Sequence, residues 1–87
     1  MATLRKKFGE RLRQIRAERG MTQERFAEIL DISVDFLSLV ERGVSAPSFE
    51  TLEKMSRRLR VPVADLFTFH GMLLKRLPNQ RLASARH

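Results

Sequence analysis

The sequence predicts an all-α chain of five helices, and three observations carry that prediction. Apolar residues recur at every third or fourth position over most of the length. Several of these runs begin just after a serine or threonine and stop at a glycine or proline, as capped helices do. No stretch shows the alternation of a half-buried strand, and there is no internal repeat.

Taken in order, Leu4, Phe8, Leu12 and Ile15 share one face of a first helix over about residues 4–19, which ends at Gly20. Thr22 can cap a second helix of about eight residues, with Gln23, Glu24 and Arg25 in its first turn and Phe26, Ala27, Ile29 and Leu30 on its apolar side. Asp31 and Ile32 make a tight connection to Ser33, the N-cap of a third helix that runs to Arg42 and stops at Gly43. In the loop VSAPS that follows, Pro47 discourages helix at Ala46. Ser48 caps a fourth helix, where Phe49, Leu52, Met55 and Leu59 keep helical spacing while Arg57, Arg58 and Arg60 face outward. Pro62 breaks that run. Val63, Leu66 and Phe67 open a fifth helix that continues through Met72, Leu73, Leu74 and Leu77 to Pro78, although Gly71 weakens the continuation by about 1 kcal/mol relative to alanine. Residues 1–77 are expected to form one domain and 78–87 a flexible basic tail.

At 87 residues the chain has room for one small core. A hydrophobic share of 43% beside a charged share of 31% is that of a folded, water-soluble chain rather than a disordered one. There is no cysteine, hence no disulfide framework and no thiolate metal site, which suits a reducing cytoplasmic compartment. No apolar run approaches the roughly 18 residues of a membrane span, and the start of the chain lacks the apolar segment of a secretion signal. The net charge of +7 sits at the two ends. Residues 1–20 carry seven Lys and Arg against Glu10 and Glu18, and residues 68–87 carry four against none, whereas residues 21–67 are slightly acidic. Such a balance suits a polyanionic partner, nucleic acid before membrane, and is also compatible with solubility alone.

Two short helices joined by a very tight turn form a specific geometric unit. Packing the second across the third needs apolar groups where they meet, supplied by Phe26, Leu30, Ile32, Leu37 and Val40, and a small residue where the backbones approach, supplied by Ala27. The ordered series "TQ" at residues 22–23, Ala27, "ERG" at 41–43, "PS" at 47–48 and the valine and "LF" near 63–67 resembles the phage repressor and Cro-like helix-turn-helix family, the XRE-type regulators, over about residues 8–67. The resemblance implies a compact five-helix bundle with a helix-turn-helix, the third helix lying in the DNA major groove while the second crosses the backbone. It also implies a phosphate contact from Gln23, near a helix amino terminus whose partial positive charge favours anions; Thr22 and Arg42 are further candidate phosphate contacts. Arg16 and Glu41 match a pair that bridges the first helix to the end of the third.

The third helix, within ISVDFLSLVERG, carries Val34, Phe36, Leu37, Leu39 and Val40, more than one packed face can hide. At 100 degrees per residue, with Leu37 and Val40 inward, Leu39, Asp35 and Arg42 point away from the core, with Ser38 between and Phe36 and Val34 on the flanks. The base-reading residues carried over from the resemblance are Ser33, Val34, Asp35, Ser38 and Leu39. They include none of the Arg, Gln or Asn forks that read guanine or adenine edges; Val34 and Leu39 suit thymine methyls, the serines either base type, and Asp35 a cytosine amine. Two departures from the family stand out. Asp31 occupies a turn position where glycine is usual, and "VSA" follows "ERG" where a Lys or Arg is common, so positive charge is expected from the first helix, Arg42 and the tail instead.

Neither His70 nor His87 has a partner at metal-ligand spacing, and the four glycines are isolated, so neither an enzyme, a metal site nor a cofactor is expected. The expected function is sequence-specific binding of double-stranded DNA by a transcriptional regulator, in the first place a repressor. It would act as a homodimer through the fifth helix and its Phe69, Met72, Leu73 and Leu77, presenting paired third helices roughly 34 Å apart. The alternatives are a protein-interaction module with a protein partner, such as an antitoxin, and a restriction-modification controller protein.

Overall fold

The computed structural model describes residues 3–69. Four α-helices and one 3₁₀ turn follow in order: α1 Leu4–Glu18, α2 Gln23–Leu30, α3 Val34–Glu41, α4 Phe49–Leu59 and the turn Val63–Phe67. Each α-helix begins on a hydroxyl that satisfies an otherwise free amide. Thr3 accepts from Lys6 N, Thr22 from Arg25 N, Ser33 from Phe36 N and Ser48 from Thr51 N, at 3.0 to 3.2 Å. Among the described residues there is no strand.

The core lies where α1 crosses α3 and where α2 and α4 close around Phe26, Leu30, Leu37 and Met55, all fully buried. Gly9 makes the α1–α3 crossing possible: a Cβ there would fall 2.3 Å from Val40 O and 2.7 Å from Glu41 O, both main-chain atoms with no side-chain freedom. α2 turns into α3 through Asp31, which takes the left-handed conformation at φ 60° and ψ 47°. Aspartate bears this better than most non-glycine residues. Lys54 of α4 holds the turn from outside, donating Nζ to Asp31 O at 2.8 Å. Arg58, one helical turn on, donates Nε to Ile29 O, so two cations occupy the negative end of α2.

Two sequence expectations are corrected. The expected fifth α-helix is a 3₁₀ turn over Val63–Phe67, and the bundle therefore has four α-helices in the described residues. In an α-helix Asp65 O would accept from Phe69 N. Here that carbonyl accepts instead from Arg11 Nε of α1 at 2.7 Å and from Thr68 N at 3.4 Å, the tighter spacing of a 3₁₀ turn. The expected continuation through Met72, Leu73, Leu74 and Leu77, and the tail 78–87, lie outside the described residues. Next, Leu4 and Phe49 keep the spacing of their helices' apolar faces yet are 61% and 83% exposed. Each sits in its helix's first turn, where periodicity continues but no facing helix covers it. With Phe8, Pro47, Leu52 and Phe67 they line an apolar groove of about 200 Å³. Arg58 is exposed, and its guanidinium is also bonded to α2.

Candidate nucleic-acid interface

The geometry of the candidate site is set by a buried carboxylate. Glu41, the last residue of α3, is only 5% exposed. Its Oε2 accepts from Arg16 Nε at 2.8 Å and its Oε1 from Arg16 Nη2 at 3.1 Å, a two-point pairing between α1 and α3. Oε1 also accepts from Gln23 Nε2 at 3.0 Å, and Arg16 Nη1 donates on to Met21 O at 3.1 Å. A single carboxylate thus ties together the end of α3, the last turn of α1, the α1–α2 turn and the first residue of α2. With three hydrogen bonds and a guanidinium partner the buried charge is compensated.

This network holds two surfaces side by side. One is the amino end of α2, where Thr22 caps Arg25 N and the backbone amides of Gln23 and Glu24 precede any intrahelical bond. Gln23 is half-buried and its side-chain nitrogen is engaged by Glu41, so the anion-attracting group it leaves outward is the helix terminus itself. The other surface is α3. Ser33, Val34 and Asp35 are exposed at its start, Ser38 and Leu39 are half-buried in its middle, and Arg42 is exposed at its end. Leu39 is less open than the angular reading expects: the chain after Gly43 turns back on it, with Val44 N and Ser45 N both donating to Leu39 O at 2.9 and 3.3 Å. Ser33 Oγ accepts from Phe36 N while its own proton remains to donate, and Phe36 packs partly against the core.

The structure thereby brings Ser33, Val34, Asp35, Ser38, Leu39 and Arg42 onto one helix and sets Thr22 and Gln23 at the start of the helix before it. Sequence reasoning missed the Gln23–Glu41 bond, since a glutamine at a helix start gives no sign of a carboxylate 18 positions away. It also missed Lys54 and Arg58 on α2, for which a faint signal existed: two cations four apart on α4, and an α2 whose last turn holds no basic residue. Among the described residues no group of three or more His, Cys, Asp or Glu side chains is placed to hold a metal ion, and no helix is long and apolar enough to cross a membrane.

Two short helices across a left-handed turn, the second presenting an uncommitted face, define a helix-turn-helix domain. The chain belongs to the helix-turn-helix family HTH_3, whose model matches residues 12–66. The family is one of transcriptional regulators rather than enzymes. The HTH-type transcriptional regulator DdrOP3 of Deinococcus deserti is 43% identical over 60 residues, 69% of this chain and 46% of that protein. Control protein C.BamHI of Bacillus amyloliquefaciens is 38% identical over 63 residues, 71% of this chain and 78% of that protein. The crystal structure of the restriction-modification controller protein C.AhdI from Aeromonas hydrophila superposes with a TM-score of 0.67 at 32% identity, covering 72% of this chain and 91% of that one. The chain therefore spans about half the length of the Deinococcus relative and most of the length of the two controller proteins.

Proposed function

We propose that this protein is a sequence-specific duplex-DNA-binding transcriptional regulator, acting as a repressor by occupying a promoter. The observation that carries the reading is the Glu41 network, which fixes an exposed α3 beside the free amino end of α2. α3 then enters the major groove and offers Ser33, Val34, Asp35, Ser38 and Leu39 to base edges. The α2 amino terminus at Thr22 and Gln23, with Arg42, meets phosphate. Lacking amide or guanidinium forks, α3 reads thymine methyls through Val34 and Leu39 and a cytosine amine through Asp35.

The functional unit in this reading is a homodimer on a pseudo-palindromic site, formed through Phe69, Met72, Leu73 and Leu77 together with the exposed Leu4 and Phe49. Two apolar side chains as open as these, beside a groove lined by Phe8 and Phe67, suit burial against a second copy. Selection of bound duplexes from a random pool, with the mass of the complex measured alongside, tests both halves. A palindromic consensus held by two chains is expected. Recovery of random sequence would remove the reading of specificity, and one chain per site would remove the dimer.

A restriction-modification controller is the second reading, favoured by the near full-length match to C.AhdI and the 78% coverage of C.BamHI. Adjacent methyltransferase and nuclease genes would establish it, whereas a gene for a co-purifying toxin would point to the protein-partner alternative.

A further inference from the structure

The residues after Gly43 are Val44, Ser45 and Ala46, none of them cationic, and α3 itself exposes Asp35. Beyond Arg42 at its end, positive charge that serves this helix must come from another element. Most of the basic side chains in the described residues are engaged internally. Arg11, Arg19, Lys54 and Arg58 donate to main-chain carbonyls, Arg16 is paired with Glu41, and Arg25 with Glu28.

Lys6, Arg13 and Arg42 are different. None of the three side chains has a hydrogen bond or ion pair to another described residue, and all three line one open cleft of about 500 Å³ at the carboxyl end of α3. The stem of Lys6 lies directly on the turn that ends α3, since a Cβ on Gly43 would fall 2.6 Å from Lys6 Cδ. Two carboxylates also face the cleft. Glu41 is turned inward to Arg16 and Gln23, which leaves Glu10 as the one exposed acid among three exposed cations.

We propose that Lys6 and Arg13 of α1, with Arg42, form a second DNA-phosphate site that replaces the cation missing from the loop after α3. This rests on the DNA-binding reading above. Eight residues make α3 about 12 Å long, close to the roughly 12 Å width of the major groove. Cations at its carboxyl end therefore reach a bounding strand while the amino end of α2 meets phosphate elsewhere. The site contacts the backbone, so it contributes affinity and salt dependence and no sequence preference.

The test uses the full chain and a fluorescent mixed-sequence duplex of roughly 20 bp, titrated by anisotropy from about 50 to 200 mM salt. Lys6→Gln with Arg13→Gln is compared with Arg57→Gln and Arg60→Gln, which remove the same charge outside the cleft, in the last turn of α4 and at its C-cap. The slope of log affinity against log salt is expected to flatten by about 2 for the cleft pair and by less than about 0.5 for the control pair. Lys6→Arg with Arg13→Lys should restore the wild-type slope. Circular dichroism melts establish that each variant is folded. A cleft pair with the wild-type slope, or a control pair that flattens it equally, overturns the site while leaving the DNA-binding reading intact. No binding by the wild-type chain at low salt overturns that reading and the site with it.

Discussion

Gln23 Nε2 and Arg16 Nη2 converge on one oxygen of Glu41, at 3.0 and 3.1 Å, so the first residue of α2 and the last of α3 are fastened to the same carboxylate. Loss of Glu41 would leave the Arg16 guanidinium without its partner at the crossing. Glu41→Ala is therefore expected to lower unfolding stability by about 3–5 kcal/mol, read from urea titration. Arg16→Met combined with Glu41→Met should cost less than the single Glu41 change, because it leaves no charge unpaired. A double variant as unstable as the sum of the two singles would count against this account.

Gly9→Ala should destabilise although alanine is the better helix former by about 1 kcal/mol. The added methyl meets the carbonyls of Val40 and Glu41, which move only if α3 moves. A net loss of about 1–3 kcal/mol in thermal unfolding is expected, as for other over-packed sites. A gain in stability would mean the two helices separate freely.

The side chains of α3 and α2 should separate by kind of effect on DNA. Ser38→Ala or Leu39→Ala is expected to alter which sequences are retained from a random pool, by about 1–3 kcal/mol at the affected base pair. Gln23→Ala should weaken all sequences alike, and it should also lower stability by about 1 kcal/mol because Glu41 loses a donor. Ser33→Ala removes a cap as well as a hydroxyl on the reading face, so stability and preference should change together. An unaltered consensus from the Leu39 variant would show that α3 is not the reader.

Phe49→Ser tests the exposed apolar surface. The ring is 83% exposed, so the free energy of monomer unfolding should change by less than about 0.5 kcal/mol. Self-association, measured by sedimentation over a concentration series, should weaken by about tenfold or more. Unchanged association would place the dimer contact elsewhere.

The capped helix starts were legible in the sequence because capping is local: Thr22, Ser33 and Ser48 each satisfy an amide three residues on. The aligned apolar positions of α2 and α3 were legible for the same reason. Leu4 and Phe49 were not, since spacing reports which face a residue lies on and not whether another helix extends far enough to cover it. The 3₁₀ turn was hidden too. Its shape depends on Arg11 reaching the Asp65 carbonyl from the far end of the chain, a contact no window of neighbouring residues contains. On the candidate site, helical angle anticipated the exposure of Asp35 and Arg42 but overstated that of Leu39, while the tie between Gln23 and Glu41 needed three dimensions.

The fasteners of this domain, Gly9, Arg16, Gln23, Glu41 and the left-handed Asp31, all lie off the open side of α3. Val34, Asp35 and Leu39 contribute no side-chain hydrogen bond or ion pair to that framework in the described residues. In the proposed reading, recognition is therefore written on positions that folding leaves blank. If α3 reads DNA as proposed, new target preferences are expected from exchanging those three side chains one at a time, with the scaffold unaltered beneath each revision.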